Sequence, residues 1–404
     1  MEQTWRWFGP SDPISLDQIR QSGATGIVSA IHENYRGDAW TEAEVAARKA
    51  EIEAAGLAWS VVESIPVTDA IKRRTSDWER DVDAYCTTLR RVARAGVPTI
   101  CYNFMPVVDW TRTDLTFRLA NGSSALRFDI AEFAAYDVFV LQRAGARDAY
   151  TDDVIERAER LAAAFDDAAV ARLEKTVIQG LPGGEGSHDR EGIRARIEGY
   201  AGIDDATLRE NLIAFLKVVV PVAVEEGVGL GIHPDDPPYS LFGLPRVVST
   251  LDDCRTLLDA VPQPANGITF CAGSFGSRPD NDLVAMARVL APRVNFTHLR
   301  LVTLEGDGSF FEDEHLRAGS PLVDIVRVFM AEEARRVAQG ETRPPIPMRP
   351  DHGALFDADQ AHAALPGYSW IGRLKGLAEL RGVAHAVDRF GLADPALIAP
   401  DYAA

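Results

Sequence analysis

The chain has 404 residues, 46% of them hydrophobic and 25% charged. This is the composition of a folded globular protein and excludes disorder or a collagen-like repeat as its overall state. Asp and Glu outnumber Lys and Arg by 60 to 42, for a net charge of −18. No basic patch offsets that charge, so nucleic acid is not an expected partner.

Taken in chain order, short β-branched or apolar runs recur at 25–31, 58–63, 99–103, 176–179, 228–233, 267–271, 294–298 and 345–351. Most are followed by Ala-, Glu- and Arg-rich helical pattern. Thr41 precedes Glu42 and Glu44, a cap with acidic residues in the first turn, and Gly56 closes that helix. Thr151, Asp152 and Asp153 open another helix, in which Ile155, Ala158, Ala162 and Phe165 recur at helical spacing. A third helix is expected over 205–226, with Pro221 as a kink or boundary. Strand–helix alternation eight times over predicts an α/β fold, a (β/α)8 TIM-type barrel. It is expected as one domain over 1–404, with 106–175 as a helical insertion after the third strand. Residues 181–192 read as a flexible loop after the fourth strand, either a plain surface loop or a lid over the substrate.

The cysteines Cys86, Cys101, Cys254 and Cys271 are too few for a disulfide framework in so long a chain. The first residues show no signal peptide, and the longest apolar stretch, 218–224, is far short of the ~20 residues of a membrane span. A soluble, cytoplasmic protein without a membrane partner is expected. Further assembly into a homo-oligomer is compatible with the sequence.

Barrel active sites lie at the C-terminal ends of the strands. The runs end on His32 (just past the first), Glu63, Asn103, Gln179, His233, Cys271, His298 and Asp351. The last four are all metal-ligand types on successive strands. Side chains alternate along a strand. That alternation turns His233 inward with Gly229 and Gly231, Cys271 with Thr269, and Asp351 with Arg349. His298 shares its face with Val294 and Phe296 and needs a bulge or twist to join them. A lone histidine or cysteine on a strand is ordinarily a core residue; four together point to a bound metal. His352 follows Asp351, and neighbours on an extended strand point apart, so His352 is a candidate for proton transfer beside the metal. Tyr368, in a turn before the last helix, is either a second proton-transfer group or a hydrogen-bond donor to substrate. Arg300 and Arg349 flank ligands and could hold a substrate carboxylate bidentately or serve as structural ion-pair partners. Asn103 and Glu63 join them as candidate substrate-binding residues. The run 312–315, Glu-Asp-Glu-His, lacks the two histidines four apart of a zinc protease.

The segments 1–10 (MEQTWRWFGP), 59–66 (WSVVESIP), 101–115 (CYNFMPVVDWTRTDL), 231–245 (GIHPDDPPYSLFGLP), 347–353 (PMRPDHG) and 366–382 (PGYSWIGRLKGLAELRG) carry a resemblance over nearly the whole chain. The sequence resembles the bacterial mannonate dehydratases of hexuronate degradation. The resemblance implies a (β/α)8 barrel and Mn2+ or Fe2+. It also implies a small sugar acid as substrate, with dehydration of D-mannonate to 2-dehydro-3-deoxy-D-gluconate. It places the metal ligands at His233, Cys271, His298 and Asp351 and the catalytic pair at His352 and Tyr368. Where the family often has histidine, this chain has Glu33, Thr68 and Ala354. Two other readings are an aldose–ketose isomerase and a non-catalytic sugar-acid-binding barrel with a structural metal. The product separates the first from a dehydratase; closed coordination by protein ligands would mark the second.

Overall fold

The structure, a computed structural model, describes residues 1–34, 37–178, 189–362 and 364–402. Eight parallel strands close into a barrel. In chain order they are β1 (Glu2–Arg6), β2 (Gly26–Ser29), β3 (Ala58–Glu63), β4 (Thr99–Tyr102), β7 (Gly229–Ile232), β8 (Asn266–Cys271), β9 (Val294–His298) and β12 (Pro347–Arg349). The last strand pairs with the first, Glu2 opposite Pro347, and so seals the cylinder.

Seven of the eight predicted runs are barrel strands, and one exchange corrects the rest. Residues 176–178 are not a strand. They end the helix Asp167–Ile178, because Leu173 and Val177, four apart, are both buried on one helical face. Gln179 and the loop residues 181–188 lie outside the described residues. Asp189 caps the helix Arg190–Gly199 by accepting from the Gly192 N–H, so the end of the expected loop is a helix start. The place is taken by β1. Its sequence, EQTWR, holds one apolar residue and so gives no run to read. Trp5 packs outward on Trp370, with ring centroids 5.4 Å apart. The segment beginning at 106 therefore follows the fourth barrel strand, not the third.

That segment is also not wholly helical. It starts with a hairpin, β5 (Asp114–Arg118) and β6 (Ser124–Phe128), before helices Ile130–Ala135 and Asp152–Ala163. A second hairpin, β10 (Leu301–Leu304) and β11 (Phe310–Asp313), rises directly from the end of β9. The two join into one antiparallel sheet, β10-β11-β6-β5, with Phe310 opposite Phe128. Phe128, Phe133, Phe242 and Phe310 form a separate apolar cluster beneath it.

The helices start and stop as their sequences dictate. Thr41 makes a reciprocal capping box with Glu44, and Thr151 caps Asp152–Ala163. The helix Asp205–Glu226 runs through Pro221 and ends on Gly227 in the left-handed conformation. Its Phe215 meets Tyr85 of helix Trp78–Arg94 edge-on at 5.0 Å. Inside the barrel, Val28, Val61, Cys101 and Phe296 form an apolar layer below the mouth. Ile268 is opposite Val294, but Thr269 is opposite Phe296. Asn295 is the extra residue of a bulge, and it restores an inward direction to Phe296 and His298. Among the described residues no helix is long and apolar enough to cross a membrane. All four cysteines are free and buried.

Candidate metal centre and active site

Three strand ends converge at the C-terminal mouth. His233 follows β7, its N–H held by the Tyr102 carbonyl at 2.7 Å. Cys271 ends β8 and His298 ends β9. One ligand atom from each of the three lies within 4.8 Å of the others. The Cys271 sulfur accepts from the Ser274 N–H at 3.4 Å and from the Ser274 hydroxyl at 3.1 Å. His233 turns Nδ1 to the Pro234 carbonyl at 2.7 Å, which leaves Nε2 for the cluster. Neither ring nitrogen of the fully buried His298 has a hydrogen-bond partner; the nearest carboxylates are Glu63 at 3.5 Å and Asp351 at 3.9 Å.

Asp351 stands beside this trio. Its Oδ2 is 4.0 Å from the Cys271 sulfur. Arg300 Nε holds Oδ2 at 2.7 Å, and Arg349 Nη1 holds Oδ1 at 2.8 Å. Asp351 is in the left-handed region, with φ of 65°. The chain is therefore not extended there, and Asp351 and His352 both line the cleft although they are neighbours. Pro350, just before, is fixed by His315, whose Nε2 lies 2.8 Å from its carbonyl.

The buried His298 imidazole, the half-buried His233 with Nε2 turned to the cluster, a thiol and a nearby carboxylate fit a divalent cation of borderline softness. Burial, with Arg349 nearby, pushes the His298 imidazole well below its ordinary value, so the ring is in the neutral form that ligates. Burial also disfavours charge on His233, but the Cys271 sulfur outweighs it and raises that ring to about 9. Burial would raise Asp351, yet Arg349 and His352 hold it well below the carboxylate range.

Across the cleft, His352 Nδ1 sits 2.8 Å from both carboxylate oxygens of Glu312. Tyr368 meets the His352 ring at 5.0 Å and Phe8 at 4.8 Å, both edge-on. Burial raises the Tyr368 phenol to about 12, so it carries its proton. Arg349 bridges Asp351 to Glu63, whose carboxylate it reaches at 3.1 Å. Asn103 and Glu63 line the cleft. For Arg300 the geometry favours the ion-pair alternative. Its nitrogens reach Asp351, Asp236, Glu312 and Ser274. Gly273 makes room for it: a Cβ there would sit 2.6 Å from the guanidinium.

The sequence reading missed four residues. Arg6 ends the overlooked β1, lines the cleft and pairs with Glu63 at 3.3 Å. Asp236, Arg112 and Glu312 form a buried network in which Arg112 reaches Asp236 at 2.8 Å and Glu312 at 2.9 Å. Polar residues in otherwise apolar surroundings were the available signal: the acidic pair 235–236, and Glu312 in the rejected protease-like run. The three positions where the family often has histidine do not line the cleft. Thr68 caps the helix Asp69–Arg73, Glu33 pairs with Arg48 at 2.9 Å, and the Ala354 carbonyl accepts from the Ser369 hydroxyl at 2.8 Å.

Comparison with known proteins agrees with this architecture. The profile of the D-mannonate dehydratase (UxuA) family matches residues 1–392. Mannonate dehydratase 2 of Agrobacterium fabrum is 55% identical over 389 residues, covering 96% of this chain and 98% of that protein. The mannonate dehydratase of Saccharophagus degradans is 53% identical over 390 residues, covering 96% and 98%. The crystal structure of mannonate dehydratase from Streptococcus suis serotype 2 superposes with a TM-score of 0.76 at 32% identity, covering 98% of this chain and 97% of that one. With a barrel of this order and a family match over nearly its full length, the chain belongs to the D-mannonate dehydratase family.

Proposed function

We propose that this protein is a cytoplasmic hydro-lyase that converts D-mannonate into 2-dehydro-3-deoxy-D-gluconate and water, with Mn2+ or Fe2+ bound by His233, Cys271, His298 and Asp351. The observation that carries the reading is the cluster of three ligand atoms within 4.8 Å in the same cleft as His352 and Tyr368. When bound, the metal supplies Lewis-acid stabilisation of the negative charge that develops next to the substrate carboxylate. The protein does the rest. The C2–H bond breaks as a base takes the proton, the C3–O bond breaks as an acid protonates the leaving hydroxyl, and the enol becomes the 2-keto acid. The His352 and Tyr368 rings meet edge-on with centroids 5.0 Å apart in the cleft wall, so one bound substrate can reach both. Arg349, with Asn103 and Glu63 in the cleft wall, orients the carboxylate and hydroxyls of the sugar acid.

The test is incubation of metal-loaded protein with a panel of aldonates, with 2-keto-3-deoxy acid as readout. D-Mannonate is expected to react fastest. Formation of a ketose instead would favour an isomerase. Binding without any product would favour a non-catalytic sugar-acid barrel.

A further inference from the structure

Glu312 comes from neither the barrel nor the metal cluster. It sits on β11, in the added antiparallel sheet, and its side chain is buried at the back of the cleft. Both carboxylate oxygens lie 2.8 Å from His352 Nδ1. Oε1 has further donors, Arg112 Nη2 at 2.9 Å and Arg300 Nη1 at 3.2 Å. Burial alone would raise this carboxyl, but His352 and the two arginines hold it down at about 2, so it is a carboxylate and can only accept hydrogen bonds.

We infer that Glu312 is a positioning residue that fixes His352 in the Nδ1–H form and aims its bare Nε2 at the substrate. A carboxylate at Nδ1 leaves that nitrogen one role, as donor. In the neutral ring the other nitrogen then has an open lone pair, the form required to accept a proton from C2. The added sheet thus supplies the orienting partner of a proton-transfer residue that the barrel holds. This inference rests on the reading of His352 as a proton-transfer group.

Glu312→Gln tests it sharply. The Oε1 position faces two guanidinium groups and must stay an oxygen. The glutamine therefore places an NH2 donor at Oε2, 2.8 Å from His352 Nδ1, and the one acceptor left there, Oε1, is already shared with two arginines, so the ring proton shifts towards Nε2. With Zn2+ as a diamagnetic ion in the site and 15N-labelled histidine, long-range 1H–15N spectra at a pH where the ring is neutral report the tautomer. His352→Asn assigns the signal. Wild type is expected to show Nδ1–H and Glu312→Gln to show Nε2–H. With Mn2+ restored, Glu312→Gln is expected to keep metal content and KM, while kcat falls on the order of 10³–10⁴-fold, as for a triad histidine held in the wrong tautomer. Glu312→Asp, which keeps the charge, is expected to retain the wild-type tautomer and more turnover than Glu312→Gln.

An Nε2–H ring in wild type overturns the inference whatever becomes of Glu312→Gln. So does Glu312→Gln with near-wild-type kcat, or a loss of activity explained by lost metal or a collapsed melting transition. If instead His352→Asn itself keeps turnover, the proton-transfer reading of His352 fails, and the spectra still report separately whether Glu312 sets the tautomer.

Discussion

The barrel wall and the barrel mouth are buried to a similar degree and are built from opposite materials. In the wall, Leu230, Ile268 and Phe270 are fully buried among other apolar side chains. Their contribution is area removed from water. At the mouth, Arg112, Arg300, Asp236, Glu312, Asp351 and His298 are just as inaccessible. Their charges are balanced pair by pair: Arg112 with Asp236 and Glu312, Arg300 with Asp236 and Asp351. Burial alone therefore does not distinguish scaffold from site. The distinction is that the wall is held by apolar packing, whereas the mouth keeps both ring nitrogens of His298 without a protein partner beside a second imidazole and a thiol.

The largest effect should come from the incomplete part. Chelation is expected to abolish turnover, and Mn2+ or Fe2+ to restore it. Circular dichroism should show the barrel still folded, because the wall does not depend on the ion. Unfolding on chelation would break the comparison. Next come the side chains proposed to transfer protons. His352→Asn and Tyr368→Phe should each keep the metal and a near-normal KM while kcat falls roughly 10²–10⁴-fold. Metal analysis beside steady-state kinetics checks this; a His352→Asn protein without metal would make His352 a ligand.

The wall should answer in the other currency. Leu230→Ala is expected to lose about 2–5 kcal/mol of stability by urea denaturation, with kcat of the folded protein unchanged.

The smallest effect is in acid. Glu312 is held at about 2 in the folded protein, burial being outweighed by His352 and the arginines, against about 4.3 in an unfolded chain. Its folded value is depressed, so its stabilisation is fully present above the unfolded value and lost as pH falls through the folded one. The stability gap between wild type and Glu312→Gln should be widest at about pH 5 and above, and should narrow towards about pH 2. A gap independent of pH would contradict the charged pairing.

What was legible in the sequence follows the same division. Seven barrel strands could be read because a parallel strand covered by helices is a nearly continuous apolar run. The strand β1 could not, because four of its five residues are polar and its burial comes from neighbours supplied by the far end of the chain. Residues 176–178 misled because β-branched content suggested a strand, while the buried Leu173 and Val177 belong to a helix that begins at Asp167. At the site, His233, Cys271 and His298 were readable because strand ends in a barrel share one rim. The bulge at Asn295 that turns His298 inward was expected as a need, but nothing local placed it. Glu312 and Arg112 were out of reach for a different reason. They touch across 200 positions of sequence, and their partnership exists only after two hairpins from distant segments form one sheet.

The closure of the barrel by Glu2 opposite Pro347 also sets an order of events during synthesis. Of the eight barrel strands, the first to leave the ribosome has one neighbour, β2, close behind it. Its other neighbour is the last of the eight to be translated, so an open edge persists while the rest of the barrel is made. An exposed strand edge is a template for pairing with the wrong chain. The N-terminal residues of this protein are thus where a nascent-chain chaperone would have the most to protect, and where a premature stop before β12 would leave a lasting sticky edge.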